Sequence, residues 1–388
     1  MALGFPPRSP RRNWLKWGLL GVAVAGALGV LLLAQWGDGL AEWPTDKAPS
    51  GSVALAVVGD SNSQSFQDSV SFPPGSAERG GALRAHTFQW TEVLARLRGQ
   101  ELDSGPWVTW GRPGEVAWLR ELIGLPGGRA PLKQDYLYNF ANAGATCKNL
   151  TGEFTDSRFR QVPRLVNLMD RDPDRWRNGV VIIRISTNDM NIGVTDEASR
   201  NPESPAVKRV VQNCLDDIGE AVALIHRHHP STRIVLVGAF DYSNHAVNLE
   251  KWQSRTALDN IAKMADSFDD ALQKMVAATP NTSFFSDRQW FRGFLGTRDA
   301  DGKPAFRTLH IGPTLQVVHS LGDSPDHSML ADFHNGLVWN TVWAQAMAKH
   351  LHDVVKVPVT PISDEEVVRF IRSQTDAPSG ASVRATGS

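Results

Sequence analysis

From residue 52 onward, short apolar runs alternate with amphipathic stretches. Residues 52–58 are almost wholly apolar and stop at Gly59-Asp60, which predicts a buried strand. Residues 180–185 and 233–238 have the same form, and 282–285 is a shorter version. Residues 138–142 are a candidate strand before Gly144. Helical spacing appears at 86–97 through Phe88, Trp90, Val93, Leu94 and Leu97, and again at 160–169, 205–226, 252–277 and 338–355. Residues 105–131, rich in Gly, Pro and Trp, read as an irregular insertion, and no internal repeat is present. Uninterrupted apolar strands alternating with helices predict a three-layer α/β/α fold around a mainly parallel central sheet.

Residues 17–36 form a nearly uncharged run. About 20 apolar residues at ~1.5 Å rise span the ~30 Å hydrocarbon layer. Arg8, Arg11, Arg12 and Lys16 precede the run, while Asp38, Glu42 and Asp46 follow it. That asymmetry predicts a cytoplasmic N-terminus (1–16), a single-pass membrane anchor (17–36), a linker (37–51) and an extracytoplasmic domain (52–357). A cleaved signal peptide is the alternative. The length of the run and the lack of a small-x-small site after it favour an anchor. Residues 358–388 are expected to be a tail, largely disordered from 373, where the composition turns small and polar.

The 388 residues carry 40 Lys+Arg and 41 Asp+Glu, a net charge of −1, which argues against a nucleic-acid partner. Two cysteines, Cys147 and Cys214, exclude a disulfide-rich scaffold and a four-thiolate zinc site. In an exported domain they can pair or remain buried thiols. Thirteen Trp against three Tyr is an unusual balance, and sugar-binding clefts are one use for Trp faces. No phosphate-binding or dinucleotide-binding glycine pattern follows a strand, and no cofactor or metal is expected.

A parallel sheet places its site at the carboxyl ends of its strands. Gly59-Asp60-Ser61 stands after the first strand, Asn142-Ala143-Gly144 after the candidate strand, Thr187-Asn188-Asp189 after the 180–185 strand, and Asp332-Phe333-His334 just before the last helix. A hydroxyl, donors for an oxyanion, a base and a carboxylate form the set that acyl transfer requires.

In this order the four blocks resemble the SGNH (GDSL-type) hydrolase superfamily, from about Val53 to Leu351, with insertions near 64–85, 105–131 and 287–325. The resemblance implies an SGNH/flavodoxin-like sheet. It implies Ser61 as nucleophile, His334 as base, and the Ser61 and Gly144 N–H groups with the Asn188 amide as oxyanion donors. Asp60, Asn142 and Asp189 are the supporting residues of the same blocks. The usual last block is Asp-x-x-His, but Ala331 occupies that Asp position. The Asp-x-His spacing resembles SGNH-like polysaccharide O-acetyltransferases, so Asp332 is the expected orienting carboxylate. Asp326 and Asp323 are fallbacks, and His327 is an alternative base. A second Gly-Asp-Ser at 322–324 lies on the wrong side of the Gly and Asn blocks. The expected activity is a serine esterase acting on O-acyl, chiefly acetyl, esters of a cell-envelope or exported polysaccharide. An O-acetyltransferase using the same residues and a non-catalytic glycan-binding module are the alternatives.

Overall fold

The computed structural model describes residues 48–125, 128–152 and 160–376, together with Gly21, Gly26 and Gly29, each in helical conformation. The expected anchor therefore lies, but for those three glycines, outside the described residues. Among the described residues no helix is long and apolar enough to cross a membrane.

Strand β1 (Val53–Gly59) is buried along its whole length. It pairs in parallel with β2 (Leu102–Asp103) on one side. The antiparallel hairpin β3 (Trp107–Trp110) and β4 (Lys133–Tyr136) follows. On its other side β1 pairs in parallel with β5 (Val180–Arg184), and β6 (Arg233–Val237) and β7 (Thr282–Phe285) extend the sheet. The spatial order is β2-β1-β5-β6-β7. After β1 the chain first moves one way across the sheet and then the other. The switch point of the sheet therefore lies between the carboxyl ends of β1 and β5, the place where such sheets bind ligands.

The expected parallel sheet, flanked on both faces by separate apolar clusters, is present. The 138–142 segment is not a strand. It runs beside β1 as an isolated bridge, Val57 to Asn139, and Asn142 N donates to Gly59 O. The 105–131 insertion is more ordered than its composition suggested, because it holds β3 and the Gly114–Leu122 helix. The tail is also an element. The Asp364–Thr375 helix is capped by Ser363 and Glu366, and it buries Val367, Phe370 and Ile371. The i, i+3, i+4 spacing of those residues is the signal that the polar surroundings concealed. Glu366 pairs with Arg98 at 2.8 Å, holding this helix to the Trp90–Arg98 helix. Among the described residues five of the nine Trp, Trp90, Trp176, Trp252, Trp339 and Trp343, are buried and serve the core.

The layers meet at one buried ion pair. Arg184, the last residue of β5, donates to Asn62 O at 3.0 Å and pairs with Asp287 at 3.1 Å. Asp287 also accepts the Trp343 indole N–H at 2.6 Å. The guanidinium lies 4.2 Å from the Trp343 ring centroid, and Trp90 packs against Trp343 at 4.6 Å. Removing one partner would strand a buried charge. Asp287→Ala is expected to destabilise the protein by about 3–5 kcal/mol. Adding Arg184→Met should recover part of that loss, and chemical denaturation of the two single variants and the double would measure the coupling.

Candidate active site

Gly59 ends β1 where it approaches β5 closely. A side chain there would place its Cβ 2.1 Å from Arg184 O, so only glycine lets the chain turn into Ser61 at this point. Asp60 shapes the turn, its Oδ1 accepting the Asn62 backbone N–H at 2.8 Å and the Asn62 amide at 3.0 Å. Burial raises the Asp60 carboxyl, and its bonds to Asn62 and the Arg184 charge oppose that rise only in part. The Asn62 amide also donates to Thr187 Oγ1 at 3.0 Å, joining the Ser61 turn to the Asn188 loop. Trp90 Nε1 donates to Asn62 O at 2.9 Å.

Gly144 sits at φ +76, in the left-handed region that favours glycine, and is solvent-exposed. Among the described residues the Ser61 and Gly144 N–H groups donate to nothing. Asn188 uses one amide hydrogen on Ala145 O at 2.8 Å, which ties its loop to that of Gly144. Ser186, at φ +110, turns the chain out of β5 into this loop. The disulfide between Cys147 and Cys214 fastens the Gly144 loop to the Pro205–His228 helix. Asn142 turns inward, its amide donating to Phe140 O at 2.9 Å. Behind the loop, Lys133 pairs with Asp135 at 2.8 Å and donates to Ala141 O at 2.6 Å, while Ser65 Oγ donates to Asp135 at 2.6 Å. The 105–131 insertion thus leads into a hairpin strand that braces both blocks.

Asp189 points back into this region and accepts the Cys147 N–H at 3.0 Å. Burial pushes its carboxyl up from 3.8 to about 6; that hydrogen bond opposes the rise and the nearby Asp60 charge adds to it. The fold therefore keeps this proton to a higher pH than the unfolded chain does. This proton favours folding below pH 3.8, and the advantage is lost as pH rises toward about 6. Asp189→Asn keeps the acceptor and removes the titration. The variant is expected to gain stability over the parent between those limits and to hold that gain at pH 7, as read from melting temperatures against pH.

His334 and Asp332 meet across a short turn. His334 Nδ1 lies 3.2 Å from Asp332 Oδ1, and the His334 N–H donates to the same oxygen at 3.2 Å. Phe333 between them adopts φ +71, which puts both side chains on one side despite the shortened spacing. The fallback residues lie elsewhere. Asp323 accepts the Ala331 N–H at 3.1 Å, and His327 Nδ1 is bonded to Ser320 Oγ at 2.7 Å with Asp326 3.9 Å away. The outer nitrogen of His334, Nε2, and the Ser61 hydroxyl each lack a hydrogen bond among the described residues, and they are not bonded to one another. Catalytic contacts of this kind are often long in unliganded sites and tighten on substrate.

Sequence reading missed Arg79. Its backbone N–H donates to Asp332 Oδ2 at 2.8 Å and its Nη1 to the same oxygen at 2.5 Å. The same Nη1 lies 2.8 Å from His334 Nδ1. The residue is 3% exposed, sits at φ +58 and packs its guanidinium on Phe72 at 4.3 Å. Burial alone would raise the Asp332 carboxyl. The hydrogen bond and charge of His334, with the N–H and guanidinium of Arg79, instead hold it well below the usual carboxylate range. Nothing in the Glu78-Arg79-Gly80-Gly81 sequence announces this contact, which spans 253 positions. Arg79→Met is expected to lower kcat by about 10²-fold with KM little changed, because the imidazole loses the fixed carboxylate that orients it. Arg79→Lys should restore part of the rate in steady-state assays.

Ser61 and unengaged backbone N–H groups stand after the strands of a parallel sheet, and a histidine–aspartate pair precedes the last long helix. Residues 55–291 match the family model of the GDSL-like lipase/acylhydrolases, and the chain belongs to that family. Acyl-ester hydrolysis is the chemistry that follows. The match takes in Ser61, Gly144 and Asn188 and ends before Asp332 and His334. No curated protein matches the chain.

Proposed function

We propose that the protein is a serine esterase held at the outer face of a membrane by residues 17–36. Its substrates in this reading are O-acetyl esters on a cell-envelope or exported polysaccharide. The observation that carries the catalytic part is the His334–Asp332 pair at 3.2 Å, whose outer nitrogen is unengaged among the described residues. The Cys147–Cys214 disulfide supports an oxidising compartment. The polysaccharide rests on that compartment and on the Asp-x-His spacing.

In this mechanism Ser61 Oγ attacks the ester carbonyl carbon, and its proton passes to His334 Nε2. In the reactive tautomer Asp332 accepts from Nδ1–H, with Arg79 Nη1 donating to the carboxylate and not to Nδ1, and the carboxylate stabilises the imidazolium. The Ser61 and Gly144 N–H groups and the free amide hydrogen of Asn188 receive the oxyanion. Collapse breaks the ester C–O bond, and the leaving sugar hydroxyl takes the proton from His334. Water then attacks the acyl-enzyme, giving its proton to His334, and Ser61 is released with acetate. A sugar hydroxyl replacing that water would make the enzyme a transferase, a second reading favoured by the Asp-x-His spacing.

Fluorophosphonate labelling tests the proposal. The full-length chain should be labelled, and Ser61→Ala should abolish both labelling and hydrolysis of 4-nitrophenyl acetate. Asn188→Ala should lower kcat by roughly 10²–10³-fold. An unlabelled parent protein would favour a glycan-binding module instead.

A further inference from the structure

Phe333 is costly where it stands. Its φ of +71 lies in the region that L side chains avoid and glycine enters freely. Its side chain is 53% exposed, more than that of either neighbour in the Asp332–His334 pair. The turn does not need the ring. It is closed by Leu330 N donating to His334 O at 2.7 Å and Phe333 N donating to Leu330 O at 3.0 Å. It is anchored by the His245 Nε2–H on the Phe333 carbonyl at 3.0 Å. Burial drives His245 down to about 4, so this donor stays neutral, and its Nδ1 accepts from Val247 N. Every bond that shapes the turn comes from the main chain or from other side chains. Among the described residues the Phe333 ring pairs with no aromatic or cationic group. An unfavourable backbone and an exposed apolar ring, kept beside the candidate base, point to a use outside the fold itself.

We propose that Phe333 is the substrate platform of this site, its ring stacking on the apolar face of the sugar that carries the acyl ester. This rests on the esterase reading above and adds a specificity determinant to it. A sugar ring offers a flat patch of C–H groups, and an exposed phenyl face is its natural complement. The position next to His334 means that a sugar seated there presents its ester at the catalytic edge. The ring contacts the sugar rather than the acyl group, so small activated esters bypass it.

The test uses the full-length chain, with Phe333→Gly as the informative variant because glycine suits the observed backbone. Its melting temperature should equal or exceed that of the parent. KM for O-acetylated xylo-oligosaccharides should rise about tenfold, and kcat/KM for them should fall about tenfold further than kcat/KM for 4-nitrophenyl acetate does. Phe333→Trp should restore the lower KM. Calorimetric affinity for the same oligosaccharides, measured on the Ser61→Ala background, should weaken about tenfold when Phe333→Gly is added. Unchanged oligosaccharide KM and affinity would overturn the proposal. So would equal losses on both substrates with a lowered melting temperature, losses confined to long-chain 4-nitrophenyl esters, or no oligosaccharide binding by Ser61→Ala. If Ser61→Ala hydrolyses esters as the parent does, the serine-esterase reading fails, and the binding arm still decides the role of Phe333.

Discussion

The buried guanidinium of Arg184 is the contact on which the site depends. It closes β5, accepts the burden of Asp287 from the segment after β7, donates to the carbonyl of Asn62 beside the candidate nucleophile, and lies over Trp343 in the helix that follows His334. A charge this deep is tolerable only when its hydrogen bonds are met. Those bonds require β1, β7 and the last long helix to be in one register. Ser61 and His334 are far apart in the chain, and the elements that carry them are packed around a single cation.

Strain gathers around the same region. Of the six described non-glycine residues at positive φ, three, Arg79, Ser186 and Phe333, stand at or against one of the candidate catalytic loops. Such conformations persist only where surrounding bonds over-determine them. Around Asp332 they do, since the Arg79 N–H, the Arg79 guanidinium and the His334 N–H all converge on one carboxylate. The shortened Asp-x-His spacing becomes workable because Phe333 turns back on itself. Ala331, in the place of the usual aspartate, has its N–H engaged with Asp323.

The insertions brace the site. Residues 64–85 deliver Arg79 to the acid of the candidate pair, and the 105–131 segment leads into the strand whose buried Lys133 and Asp135 hold the Gly144 loop and Ser65. The disulfide adds a covalent tie from that loop to a long helix. The described insertions therefore belong to the same packed unit as the sheet.

The four longer strands of the central sheet, β1, β5, β6 and β7, and the long helices were legible in the chain because burial on both faces demands continuous apolar runs, and one-sided packing demands a 3.6-residue period. The loops carrying Ser61 and Asn188 were legible because parallel strands deliver their following loops to one edge. Asp332, chosen on the Asp-x-His resemblance, lies beside His334, whereas Asp323 and Asp326 do not contact it. The Asp364–Thr375 helix was equally local, but its polar flanks hid it. Tertiary structure alone decided Arg79, the Arg184–Asp287 pair and the joining of Cys147 to Cys214. Each joins positions tens to hundreds of residues apart. Such a partner is selected by where folding brings a side chain, and no periodicity or spacing along the chain encodes that position.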